Sequence, residues 1–170
     1  MCPPFGETYA INVHQSMRMS GLVLAFSLID TRVPRALGLQ FMIISVGIDL
    51  VEVERIRAAL EDPRIGRRFR DRVYTQNEIA YCERKQRGRF QSYAARFAAK
   101  EAVMKALGWG WGAQVRWLDI EVARASSGKP DIVLHSKTAR LAEQLGIQNW
   151  ALSITHTAEH GMAYVIAQDG

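Results

Sequence analysis

Arg96-Phe-Ala-Ala-Lys-Glu-Ala-Val-Met-Lys-Ala-Leu-Gly108 is the stretch whose reading decides the fold. It holds no helix breaker before its final glycine and is rich in Ala, Leu, Met, Lys and Glu, all strong helix formers. A long helix is predicted, with Ser92 as its N-cap and Gly108 as a left-handed C-terminal cap. At about 100° per residue, Ala95, Ala98, Ala99, Ala102 and Ala106 share one stripe, where another backbone can approach closely. Tyr93, Phe97, Met104 and Leu107 form a second apolar stripe roughly opposite. A helix apolar on two sides is mostly buried, so its charges need partners. Those charges are spaced i,i+4 as Arg96 with Lys100 and Glu101 with Lys105. Glu101 and Lys105 either form an ordinary intrahelical pair worth about 0.2–0.5 kcal/mol, or they bind a metal ion and a phosphate. The second reading needs another carboxylate and an anion pocket elsewhere in the chain.

Towards the N-terminus, residues 43–48 are a short β-branched apolar run, a buried strand by pattern. A helix is expected over residues 51–60. Asp49 then stands at a strand-to-helix junction. It is either an N-cap, with Glu52 completing a capping box, or the second carboxylate. Asp62-Pro63 breaks this helix, and residues 64–72 read as a basic helical segment around Phe69. Thr75-Gln-Asn-Glu78 is a capping-box signature for a helix to about residue 85. Arg84, Lys85, Arg87 and Arg89 crowd the link into the central helix, as a phosphate receiver or as a solvated loop. Between Arg55 and Arg89 there are eleven Arg and Lys against five Asp and Glu, although the whole chain carries only +5. Such a lobe implies an acidic partner (nucleic acid, a phosphate-bearing ligand or an acidic protein), the alternative being a solvated basic face.

Beyond the central helix, Gly108-Trp-Gly-Trp-Gly112 permits close backbone approach to a ligand, but no GK[ST] follows and it is not a P-loop. Residues 117–123 and 131–135 read as a hairpin about Ser126-Ser-Gly-Lys-Pro130. Ser136 is expected to cap a helix over residues 137–145. Residues 149–155 and 162–167 make a final hairpin whose turn runs from His156 to Gly161. His156 sits at the strand end, as a structural histidine or a ligand contact. His156 and His160 do not make a metal pair, because a flexible turn fixes no spacing.

At 170 residues, 48% apolar and 23% charged, the chain has the composition of one ordinary soluble domain. Cys2 and Cys82 make no disulfide framework and no zinc pattern, which fits a reducing, cytoplasmic setting. Residues 1–41 differ from the rest, with two prolines in the first four positions and no sustained period. They are expected to be a poorly ordered extension from an upstream start, preceding a domain of residues 42–170. Their apolar stretch at residues 21–29 is too short to span a bilayer and has poor signal-peptide flanks.

Four motifs occur in order: Gly47-Ile-Asp-Leu-Val-Glu-Val-Glu-Arg-Ile56, the Arg96–Gly108 run, Gly128-Lys-Pro130 and Ser153-Ile-Thr-His-Thr157. Together, over residues 42–170, they closely resemble the holo-acyl-carrier-protein synthases, the small phosphopantetheinyl transferases of bacterial fatty-acid biosynthesis. The resemblance implies an α+β fold, an antiparallel sheet packed against a long central helix. It implies transfer of 4′-phosphopantetheine from coenzyme A to a serine of apo acyl carrier protein, releasing adenosine 3′,5′-bisphosphate. By that similarity Asp49 and Glu101 would hold Mg²⁺, Lys105 would pair with the coenzyme phosphates and His156 would contact the same ligand. Glu101 is also a candidate for the base that the serine hydroxyl needs. Arg87 and Arg89 fall near the family's 3′-phosphate contacts, and Gly108 and Gly110 flank the loop against coenzyme A. Trp109 departs from the family there, where a smaller residue usually follows the first glycine.

Family members are trimers with the site at a subunit interface, so a homotrimer is expected. The basic lobe suits an acidic carrier, with Arg55 as the chosen docking contact. A nucleic-acid-binding module would use the same lobe but leaves Asp49 and Glu101 unexplained, and the chain has no helix-turn-helix, zinc-finger or RRM signature. A carrier domain of a polyketide or peptide synthetase is a further substrate that the residues leave open. Neither nucleic acid nor membrane is expected as a partner.

Overall fold

The computed structural model describes residues 42–170 apart from Ser126, and the extension expected over residues 1–41 lies outside them. In chain order the elements are β1 (Ile43–Glu52), α1 (Val53–Glu61), α2 (Gly66–Val73), α3 (Gln76–Glu83), α4 (Arg89–Leu107), β2 (Ile120–Arg124), β3 (Pro130–Leu134), α5 (Ser136–Gln144), β4 (Asn149–His156) and β5 (His160–Gln168). Short 3-10 turns occupy Gln86–Gly88 and Trp117–Asp119. An antiparallel sheet has the order β1-β5-β4, and β2 pairs with β3 as a separate hairpin. With the 19-residue helix α4 on the three-stranded sheet, this is the expected α+β fold.

The alanine stripe explains how closely helix and sheet approach. Ala95, Ala98, Ala99, Ala102 and Ala106 are all buried. A Cβ at Gly161 would come 2.7 Å from the Ala95 amide nitrogen, and one at Gly47 would overlap the Ala102 carbonyl. Small residues on both surfaces therefore set the spacing. On the far side of α4, Tyr93, Met104 and Leu107 are buried, and Phe97 packs on Trp117 with ring centroids 4.8 Å apart. Gly108 closes α4 at φ 74°, the expected left-handed cap.

Local capping differs from expectation at three places. Asp49 is not a helix cap: β1 stays paired with β5 as far as Glu52 opposite His160, so Asp49 lies within the strand, opposite Ala163. The sheet ladder satisfies the backbone that a helix start would have used. The N-cap position of α1 falls on Glu52, with no side-chain cap bond. Ser92 is likewise no cap, because the Gln86–Gly88 turn leads directly into helical geometry at Arg89 and leaves Ser92 buried a turn inside. At α5 the cap position is His135, and Ser136 takes φ 52° instead of the extended backbone a cap requires. The Thr75–Glu78 capping box forms as expected, with both reciprocal bonds present. The first hairpin also starts later than expected, its first strand beginning at Ile120 after the Trp117–Asp119 turn.

The sheet face turned away from α4 is apolar and is covered by no element among the described residues. Val46, Ile48 and Leu50 alternate along it with exposures of 50–61%. Their register partners on β5 are Ile166, Tyr164 and Met162.

Candidate active site

Strand β1 and helix α4 bring Asp49, Glu101 and Lys105 together although 52 residues separate the first two in sequence. Lys105 Nζ donates to Asp49 Oδ1 at 2.9 Å and to the Ile48 carbonyl at 2.9 Å. The intrahelical Glu101–Lys105 pair is not among the ion pairs of the described residues; Lys105 turns to the strand instead. An ammonium has three donors, so one remains for an incoming oxyanion on this half-exposed side chain.

Burial and the facing Asp49 carboxylate push Glu101 above the ordinary carboxylate range, against the opposing pull of Lys105 and Arg55. Arg55, on α1, thus belongs to the same charge cluster. A hard carboxylate whose ionisation a second carboxylate beside it disfavours is a poor arrangement without a cation and a suitable one with it. Among the described residues no group of three His, Cys, Asp or Glu gathers to hold a metal by protein ligands alone. Mg²⁺ does not need one, since it commonly takes one or two carboxylates and completes its shell with phosphate oxygens and water. Asp49 and Glu101 fit that ion.

The other expected site residues lie apart. Arg87 lines a cleft of ≈ 480 Å³ together with Glu52, Arg57, Phe90 and His160. Arg89 is engaged by Glu61 at 3.4 Å and Glu83 at 3.5 Å and stacks on Phe90. Gly108 and Gly110 lie in an exposed loop. His156 ends β4 opposite Gly161. Because β5 lies between β4 and β1, the His156 and Asp49 strands are two spacings apart, about 10 Å. Within one chain, His156 is therefore outside the Asp49–Glu101–Lys105 cluster. The sequence reading also missed the contact of Arg72 with Trp111, whose guanidinium lies 4.4 Å from the indole centroid and ties the glycine loop to α2. The basic run and the two tryptophans were visible, but nothing in their spacing pairs them.

A family model described as the 4′-phosphopantetheinyl transferase superfamily matches residues 45–165. The chain belongs to that superfamily and is a transferase. Within it, the relatives are holo-[acyl-carrier-protein] synthases. The protein of that name from Solibacter usitatus (strain Ellin6076) is 56% identical over 128 residues, covering 75% of this chain and 100% of its own length. The one from Koribacter versatilis (strain Ellin345) is 46% identical with the same coverage. Among solved structures, Helicobacter pylori holo-[acyl-carrier-protein] synthase in complex with coenzyme A aligns with TM-score 0.62 and 32% identity, covering 72% of this chain and 98% of that one. The Bacillus anthracis holo-(acyl-carrier-protein) synthase in complex with CoA (3′,5′-ADP) aligns with TM-score 0.62 and 34% identity, covering 76% and 99%. Among the described residues no helix is long and apolar enough to cross a membrane.

Proposed function

We propose that this chain transfers 4′-phosphopantetheine from coenzyme A to a serine of an apo acyl carrier protein in bacterial fatty-acid biosynthesis, in the cytoplasm, with Mg²⁺ held by Asp49 and Glu101. The observation that carries the reading is the pair of carboxylates beside a lysine that has a donor to spare. Coenzyme A complexes of two relatives support the donor, and the relatives' names support the acceptor.

In this reaction the serine Oγ forms a bond to the phosphorus that carries pantetheine. The pyrophosphate P–O bond breaks, and adenosine 3′,5′-bisphosphate leaves. When bound, Mg²⁺ neutralises charge on the phosphoryl oxygens. Lys105, anchored to the β1 backbone, adds a fixed positive charge at the same place. Glu101 would be the acceptor for the serine proton. Arg87 in the cleft beside His160 is assigned to the coenzyme, as are Arg89, the Gly108–Gly110 backbone and His156.

His156 is too distant to act with Asp49 of its own chain, and no element among the described residues covers the apolar sheet face. Both features suit a homotrimer in which one copy completes the site of the next. The basic helix α2 and Arg55 face an acidic carrier in this reading, and Arg55 places its docking next to Glu101. A nucleic-acid partner accounts for the basic lobe but gives Asp49 and Glu101 nothing to do.

Incubation with coenzyme A, Mg²⁺ and an apo acyl carrier protein, followed by intact mass spectrometry of the carrier, tests the reading. One phosphopantetheine is gained, and chelation of divalent ions abolishes the gain. No gain with several carriers would overturn it.

A further inference from the structure

The loop that follows α4 stands nearly clear of the rest of the chain. Residues 108–114 are all exposed, and the chain re-enters the core at Val115. Backbone hydrogen bonds fasten its two ends. The Gly108 and Trp109 amides donate to the Lys105 and Met104 carbonyls, and the Gly112 amide donates to the Val115 carbonyl. A Cβ built at Gly108, Gly110 or Gly112 would meet nothing within 4 Å, so nothing inside the chain fills the space beside these glycines. Between the fastened ends the loop has one aromatic contact among the described residues: the Arg72 guanidinium lies 4.4 Å from the Trp111 ring centroid. Trp109, exposed like Trp111, has neither a cation nor a ring against it there.

The surroundings leave Arg72 to this ring. It forms no ion pair or side-chain hydrogen bond among the described residues, and its neighbour Asp71 is engaged by Arg67 at 3.6 Å and Arg70 at 3.0 Å. Neither of the two cavities that Arg72 lines has an acidic residue in its wall. A guanidinium is weakly hydrated and stacks readily on an aromatic face. The backbone that carries it is held in place. Val73, the next residue, ends α2 and its carbonyl accepts from Lys100 of α4 at 2.7 Å, while Tyr74 beyond it is buried. Arg72 is thus a cation on a fixed support, reaching a loop that has little else to fix it.

We propose that Arg72 is a positioning residue for the transfer: through the Trp111 ring it holds the Gly108–Gly112 loop in the conformation that receives coenzyme A. The role rests on the transferase reading, which assigns the backbone of this loop to the coenzyme. A loop without the tie must be ordered when its ligand arrives, and that ordering is subtracted from the affinity. Arg72 touches neither the coenzyme nor the reacting atoms in this role. Asp49, Glu101 and Lys105 stand on β1 and α4 and keep their places without it. Its loss therefore raises KM for coenzyme A and leaves kcat unchanged.

Calorimetric titration of the full chain with coenzyme A and Mg²⁺, in the absence of carrier, tests the role apart from carrier docking on α2. Arg72→Ala is expected to weaken binding about two- to fivefold in the wild type. In a Trp111→Ala background it should have no further effect, because the two residues act as a unit. Trp111→Phe, which keeps a ring against the guanidinium, should restore most of the affinity lost in Trp111→Ala. Both positions are exposed, so the fold is kept. Acrylamide should quench tryptophan fluorescence more strongly in Arg72→Ala than in wild type, and equally in Trp111→Phe with and without Arg72→Ala. Equal coenzyme affinity in wild type and Arg72→Ala overturns the proposal. So does the same loss in both backgrounds, which would mean that Arg72 acts without the ring. A wild type that binds no coenzyme A removes the transferase reading and this role with it, whereas equal binding by wild type and Arg72→Ala removes this role alone.

Discussion

Lys100 Nζ and Glu78 Oε2 lie 2.7 Å apart with both side chains fully buried. The ammonium also donates to the Val73 carbonyl at 2.7 Å and the Trp117 carbonyl at 3.0 Å, which uses all three of its protons. Glu78 in turn accepts from the Thr75 and Val122 amides. One buried pair thus joins the end of α2, the start of α3, β2 and the residue of α4 next to Glu101. Burial lowers the Lys100 pKa, and the Glu78 carboxylate opposes that shift.

Removing one partner leaves the other charge buried alone. Lys100→Met is expected to destabilise by about 3–5 kcal/mol, measured as a shift in urea midpoint at constant slope. Lys100→Met combined with Glu78→Gln should cost less than the two single changes added together, because the partners act as a unit. Strict additivity would mean that the pair is not coupled.

The carboxylate pair predicts a conflict between stability and activity. Glu101 is raised above its unfolded value, so its ionisation costs the folded state stability. That cost is absent below the unfolded pKa, near 4.3, and is fully present above the raised folded one. Glu101→Gln should therefore raise Tm in chelator at neutral pH, with the gain disappearing below about pH 4, while transfer is lost. An unchanged Tm at neutral pH would show that Asp49 and burial do not strain Glu101.

How much of this was legible in sequence depends on which contacts were local. The α4 helix, its alanine stripe, the Gly108 cap and the Thr75 capping box rest on residues within a turn or two of one another, and all formed as read except that α4 begins at Arg89 and not at a Ser92 cap. Asp49 misled because Asp49 and Glu52 have a capping-box spacing, while the pairing that keeps β1 extended comes from His160 to Ala163, more than a hundred residues later. Lys105 likewise left its i,i+4 neighbour for a strand 56 residues away. Lys100 stood in plain view among alanines, but its partner Glu78 looked fully explained as a capping residue. The acidic and basic members of the candidate cluster were thus named from sequence, and their pairings were not.

Helix–sheet spacing should control the site's geometry. Gly47→Ala places a Cβ against the Ala102 carbonyl, one residue from Glu101 and two from Asp49. Overpacking of this kind costs about 1–3 kcal/mol. The expected result is a destabilised protein whose kcat falls more than its KM for carrier rises, read from a Michaelis series at a temperature well below its Tm. Full kcat in the folded variant would mean that β1 shifts without moving Asp49.

The exposed sheet face predicts assembly. Sedimentation equilibrium should give three times the chain mass for the wild type, and Ile48→Asp should yield a smaller species with little transfer activity. A charge directly on this face is incompatible with burying it against another copy. A monomeric wild type, or an Ile48→Asp protein that stays assembled and active, would contradict the proposed trimer.

Docking of the carrier should be electrostatic. Arg55→Glu is expected to raise KM for the carrier about tenfold, some 1.4 kcal/mol, and to flatten the rise of KM with ionic strength expected of the wild type. An unchanged KM would remove Arg55 from the docking surface.

The central claim is that Asp49 and Glu101 act together in phosphopantetheine transfer. It is tested most directly by intact mass spectrometry of an apo acyl carrier protein after incubation with coenzyme A, Mg²⁺ and wild type, Asp49→Ala or Glu101→Ala enzyme side by side. The account predicts a gain of one phosphopantetheine with the wild type and none with either variant in the same time. A full gain with all three proteins would contradict it and leave the two carboxylates as neighbours without a role in transfer.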